Sequence, residues 1–376
     1  MLRPPRRCLM TLKLLSIALT ILLSIPAPTR AAELPTALSD EEFWRIVTEF
    51  SEASGVFQPQ LMTNEDSLQS VIPALKQMTR RGGVYVGVGT EQNFTYIAAI
   101  QPRIAFVVDI RRDNLLEHLM YKALFELSTD RADFVSRLFS RKRPSGLNAR
   151  SSVAALFEAY RSVAADRAFQ EENVRAVLDQ ITSKHKFLLS ETERGAIASF
   201  LSAFYAAGPF ALKGTGDKNL SYAQSMTGTD LTGHSQSYLA SEDSFELVRD
   251  LEKRNLVVPL AGDFAGQKAI VSIGRFLRDR GAVVDVFYLS NVERYLWEQG
   301  DHGRQFYANA ESLPLTPSST FIRSVTVDIS RRLGISVPDS YANWRSFLSP
   351  MREFLTAFAQ GRIQSYREVF DYSGPR

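Results

Sequence analysis

A doubly wound α/β domain on a mostly parallel sheet, carrying a helical insertion or cap, is the fold the sequence predicts. Three observations predict it. Short runs rich in β-branched and aromatic residues (Val84–Val86, Ile104–Val108, Leu256–Leu260 and Val283–Leu289) alternate with stretches of helical periodicity. The second run is apolar at successive positions, as a strand covered by helices on both faces must be. Between the first two runs, Gly87-Val88-Gly89-Thr90 leads into a helical segment, Glu91–Ile100, the order of a Rossmann-like unit.

The elements follow in chain order. Ser39 is placed to cap a helix whose first turn is Asp40-Glu41-Glu42 and whose apolar stripe is Phe43, Ile46, Val47 and Phe50. A loop over 51–65 precedes a second helix, Asp66–Met78. After the glycine loop and the second strand, Asn114–Leu127 repeats apolar residues at helical spacing. Residues 130–210 read as helical throughout and form the expected insertion. Residues 213–237, rich in Gly, Ser, Thr and Asp, read as a long polar loop with room for one short strand. Beyond it come a helix over Asp243–Arg254, the third strand, a helix over Gln267–Arg280, the fourth strand, a late strand over Thr320–Val327 and a helix over Pro350–Gln360.

The N-terminus has another composition. Arg3, Arg6, Arg7 and Lys13 precede an apolar run from Leu14 to Ile25, broken by Pro26 and Pro28, and small residues lead to Ala31-Ala32. That layout predicts an export signal over residues 1–31. The alternative is a membrane anchor, but the apolar run of about a dozen residues is short of the roughly 20 a spanning helix needs. Arg6-Arg7 followed by Leu9-Met10, with Arg30 near the cut, has features of a twin-arginine signal, and an ordinary secretory signal fits as well. The expected location is periplasmic or secreted.

Five of the 44 basic residues and none of the 41 acidic ones fall in 1–31, so the formal charge of +3 becomes −2 for the remainder. A domain of that balance gives no reason to expect nucleic acid or an anionic membrane as partner. The one cysteine, Cys8, lies in the signal, which excludes disulfides, thiolate catalysis and cysteine-bound metal from the rest. His118, His185, His234 and His302 are scattered, and neither a P-loop lysine motif nor a G-x-S-x-G elbow is present.

The chemistry therefore concentrates at the strand ends. Gly87 and Gly89 permit a sharp turn and a close backbone approach, Thr90 and Asn93 offer polar groups beside them, and Asp109 closes the second strand 20 residues after Gly89. An acid there can bond the ribose hydroxyls of an adenosine. The third glycine of the dinucleotide fingerprint is missing, and Glu91 stands at the helix start where it would repel a pyrophosphate. Both features favour a cofactor without one, such as S-adenosylmethionine. The competing reading is a tight turn with no ligand. On the opposite side, Tyr288, Ser290 and Asn291 at the end of the fourth strand, and Asn64 and Glu65 upstream, are candidate substrate-side residues. Capping of the following helices is the plainer role for Ser290, Asn291 and Asn64-Glu65.

Val86-Gly87-Val88-Gly89 with Asp109 resembles the first two motifs of class I S-adenosylmethionine-dependent methyltransferases. The longer runs Gly87–Ile97, Asp109–Asn114 and Tyr288–Glu293, with Asn64-Glu65, resemble a poorly characterised bacterial family with that core, over roughly 50–300. The resemblance implies a Rossmann-like sheet, S-adenosylmethionine as cofactor, a small-molecule ligand and methyl transfer to an acceptor it does not identify. The second functional class open at this point is an exported, non-enzymatic binding module on the same scaffold.

Overall fold

In the computed structural model, residues 33–211, 220–338 and 341–372, with Met1, are described. The expected export signal lies outside the described residues, as does part of the polar loop. Ala32–Arg376 groups as one unit by its internal contacts.

Six strands form one sheet in the order β3-β2-β1-β4-β5-β6, where β1 is Val84–Gly87, β2 Ile104–Asp109, β3 Val257–Ala261, β4 Val284–Ser290, β5 Leu315–Thr326 and β6 Trp344–Pro350. The first five are parallel, and β6 runs antiparallel to β5. All residues of β1, β2 and β3 are buried, which matches their unbroken apolar runs. Four of the five sequence-predicted strands, β1 to β4, are neighbours in this sheet, and the late strand expected over Thr320–Val327 forms the second half of β5 beside β4. The strand order reverses between β1 and β4, so the switch point, where such sheets bind ligands, lies beside Gly87 and Ser290.

Helices cover the sheet and add a cap comprising Arg131–Phe139, Val153–Ala159, Arg167–Asp179 and Glu191–Ala207. Several expectations need correction. The stretch expected as one helix over 66–78 is a 3-10 turn, Leu68–Val71, followed by the helix Ile72–Met78. The helix after the glycine loop starts at Gln92, with Glu91 just before it. The polar loop holds a short helix, Tyr222–Thr227, started by a capping box on Ser221 and Gln224. Strand β6 and the helix His302–Glu311 had no counterpart in the sequence reading. No helix among the described residues is long and apolar enough to cross a membrane.

Candidate functional site at the carboxyl ends of the strands

The turn after β1 is held from inside. Asn93 accepts a hydrogen bond from the Tyr85 hydroxyl at 2.8 Å and donates its Nδ2 to the carbonyls of Val88, Gly89 and Thr90 at 3.0, 3.1 and 2.8 Å. Gly87 is a glycine because any Cβ would overlap Asn93 Oδ1 and approach Tyr85 Oη to 2.6 Å. Gly89 has φ +81°, which favours glycine. Thr90 donates to Gln92 Oε1 at 2.9 Å. The structure thus brings Gly87, Gly89, Thr90 and Asn93 together, and it spends the Asn93 side chain on shaping the loop.

Asp109 ends β2 and is buried against Arg111. Its Oδ1 accepts the Arg111 backbone N–H at 2.9 Å and Nε at 3.0 Å, and its Oδ2 accepts Nη2 at 3.1 Å. Arg111 also donates to the Gln60 carbonyl and to Asn114 Oδ1. Both oxygens expected to face a ribose are therefore committed to a neighbouring guanidinium.

Glu91 is fully buried, and its carboxylate accepts the Thr63 N–H at 3.2 Å. Burial raises its pKa to about 7, against the opposing pull of Thr90 and the backbone donors. Behind the loop, His118 places Nε2 2.9 Å from the Gly89 carbonyl. A carbonyl only accepts, so Nε2 carries the proton and Nδ1 is the bare acceptor. Burial lowers the His118 pKa to about 4 and keeps the ring neutral. His118 Nδ1, Glu117 Oε1 and Asn114 Nδ2 are buried without hydrogen-bond partners. Burial, reinforced by Glu91, raises the Glu117 pKa well above the carboxylate range. Three orphaned polar atoms on the helix after β2, beside an acid and a glycine turn, are a concentration that folded proteins rarely leave unexplained.

The substrate-side candidates also converge. Ser290 and Ser324, at the ends of β4 and β5, both donate to the Glu65 carboxylate. Gln92 Nε2 lies 3.5 Å from the Tyr288 hydroxyl, which links this cluster to the glycine loop. Burial raises the Glu65 pKa, while the hydroxyls of Ser290, Ser324 and Tyr288 pull it down. Ser290 has φ +51°, a strained conformation for serine at the end of a strand. Asn291 precedes the helix Val292–Trp297 and makes no side-chain cap, so the capping expectation fails there. It fails at Asn64-Glu65 too: Glu65 points to β4 and β5, and the neighbouring Asp66 ties down the start of β6 through Asn343 and the Trp344 N–H. Asn64 is half-buried beside them.

Sequence reasoning missed Tyr85, Thr63, Ser324, Glu117 and His118. Only His118 left a signal, as a lone histidine on a strongly apolar helix. Two open clefts lie elsewhere. One of about 270 Å³ is lined by Lys76, Ala98, Gln236 and Ser241, and one of about 230 Å³ by Arg45, Phe50, Arg275 and Arg280. At the strand ends Gly87, Asp109 and Ala261 are buried, and Gly89 and Ser290 are partly buried. Among the described residues no three His, Cys, Asp or Glu side chains are grouped to hold a metal ion.

No curated protein matches the chain. A family model described as a domain of unknown function (DUF7790) matches residues 61–373, which takes in all six strands and every candidate residue above. The chain belongs to the DUF7790 family.

Proposed function

We propose that the switch point binds S-adenosylmethionine and that the domain is methyltransferase-like, with an acceptor entering on the Glu65–Ser290 side. The observation that carries this reading is the buried Glu91 carboxylate at the start of the helix after the glycine loop. A helix N-terminus in that position would otherwise suit a phosphate. An acid there repels a pyrophosphate and attracts a cation. Glu91 and Asp109, with Arg111 as counter-charge, suit a ligand that combines ribose hydroxyls with a cationic amino-acid portion. The partnerless Asn114, Glu117 and His118 atoms supply further donors and acceptors. When bound, the cofactor supplies an electrophilic methyl group. The chain's part is to position it, and proximity with alignment is most of what such a transfer requires.

A non-enzymatic binding module is the second reading, favoured by one observation: the Asp109 carboxylate is already satisfied by Arg111. Calorimetric titration with S-adenosylmethionine, S-adenosylhomocysteine and NAD separates the two. Binding of the first two but not NAD is expected, and Glu91→Gln should weaken S-adenosylmethionine binding about tenfold, the usual scale for a charge-assisted hydrogen bond. Affinity for S-adenosylmethionine should rise from pH 5.5 to 7.5 as Glu91, with its pKa of about 7, loses its proton. No binding at millimolar concentration would leave the second reading standing.

Export completes the proposal. The twin-arginine route carries folded proteins, so the domain would travel with its cofactor in place. Arg6-Arg7 replaced by Lys-Lys should abolish export, assayed by fractionation. Unchanged export would assign the general secretory route.

A further inference from the structure

The geometry points to residues 51–67 as the gate of this site, a strap that crosses the carboxyl edge of the whole sheet and must lift before any ligand reaches the strand ends. Its anchors follow the strand order. At β3, Glu52 donates its N–H to the Ala261 carbonyl at 2.8 Å and Ser51 Oγ accepts the Ala261 N–H at 3.0 Å. Past β2, the Gly55 N–H meets the Ile110 carbonyl at 2.9 Å and the Gln60 carbonyl accepts from Arg111. At β1, the Thr63 N–H meets Glu91. At β4 and β5, Glu65 takes the Ser290 and Ser324 hydroxyls, and Ser67 meets Ser346 of β6 at 3.0 Å. This path is why the switch point is closed.

The strap is built to detach as a unit. It contains no helix or strand; besides these anchors it is held by Ser51 and Glu52, which accept from Lys268 and Ala269, by Ser54, which accepts the Arg112 N–H, and by the buried Met62 near its far end. Each is a local hydrogen-bonded contact whose net worth in water is modest. Its crest is exposed: Val56 is 97% and Phe57 40% exposed, and Phe57 meets the Tyr295 ring edge-on with ring centroids 4.9 Å apart. Segments with few buried apolar contacts open far below the free energy of global unfolding. One anchoring group, Glu91, is assigned to the ligand, and another, Arg111, is the counter-charge of Asp109, so the closed strap and a ligand compete for the same cluster.

A covalent staple tests this. An ideal Cβ on Gly55 lies 3.8 Å from Ile110 Cβ, which matches the mean disulfide spacing of about 3.8 Å. Replacing Ile110 also removes the side-chain atoms that would overlap the new Cβ. Gly55→Cys/Ile110→Cys is made in the full chain with Cys8→Ser, which leaves no other thiol. In the wild type, hydrogen exchange over 51–67 should be at least a hundredfold faster than over β1 and β2. In the oxidised variant it should slow at least tenfold and recover on reduction. Strap exchange as slow as that of the sheet, or unaffected by the staple, overturns the gate. The ligand arm rests on the cofactor reading: oxidation should abolish S-adenosylmethionine binding and reduction restore it, and equal binding in both states also overturns the gate. A strap that opens in exchange while the reduced protein binds no S-adenosylmethionine supports the gate and removes the cofactor.

Discussion

Replacing Arg323 by alanine should cost about 3–5 kcal/mol, the scale for removing one partner of a buried ion pair. Arg323 is 2% exposed, and its guanidinium lies 4.5 Å from the Phe321 ring and 4.2 Å from the Phe354 ring. Its Nε and Nη2 donate to Glu293 at 2.6 and 2.9 Å, and Tyr307 donates to the same carboxylate at 2.8 Å. Alanine would leave the Glu293 charge buried with one hydroxyl for company and open a void between two rings. The double variant Glu293→Leu/Arg323→Met should recover most of the loss, because an apolar pair of similar volume has no charge to desolvate. Urea denaturation of both variants measures this. A single-variant loss below about 1 kcal/mol would mean that water reaches the pair. The consequence extends to the site, since this pair joins β5 to the helix that follows β4 and so sets Ser324 against Ser290.

Glu91→Gln should raise stability, by an amount that grows from about pH 4.5 and levels off above about pH 7. The folded-state pKa of about 7 lies above the ordinary 4.5 because burial penalises the charged form. The fold therefore binds the Glu91 proton more tightly than the unfolded chain does. That contribution is fully present below about pH 4.5, declines as pH rises, and is lost above about 7. At pH 8 the buried charge costs on the order of 3 kcal/mol, at roughly 1.4 kcal/mol per pKa unit. Glutamine retains an acceptor for the Thr63 N–H and carries no charge. The variant should match wild type at about pH 4 and exceed it by about 2–3 kcal/mol at about pH 8, measured by denaturation at both values. A difference independent of pH would show that Glu91 is solvated or paired. Gained stability together with weaker cofactor binding is the trade expected where a site is held in a costly state for function.

What was legible in the sequence, and what was not, follows the range of the interactions. Strands β1 to β4 were readable because burial on both faces demands continuous apolar runs. Strand β6 was not, because Trp344-Arg345-Ser346-Phe347 mixes polar and apolar residues and the strand ends in proline at the antiparallel end of the sheet. Gly89 was readable from its local turn. Gly87 was marked for the close approach of a ligand, and the group that fills that space in the fold is Asn93. The pairing of Asp109 with Arg111 lies two residues apart and was open to inference. A guanidinium folding back on a strand-end acid is nevertheless a choice of tertiary packing that local spacing does not dictate. The Glu65 contacts with Ser290 and Ser324 join residues more than 200 positions apart, and no local pattern encodes them. The sequence placed Glu65 and Ser290 on one list of candidates, and the fold makes them neighbours.

An adenosine cofactor bound at the switch point between β1 and β4, as proposed above, would protect the surrounding backbone. Hydrogen exchange at pH 7.5, with and without saturating S-adenosylhomocysteine, should show at least tenfold slower exchange in peptides covering 87–93 and 109–114. The cleft beside Lys76 and Gln236 should be unchanged. Protection confined to that cleft, or absent while the ligand is bound, would contradict the account.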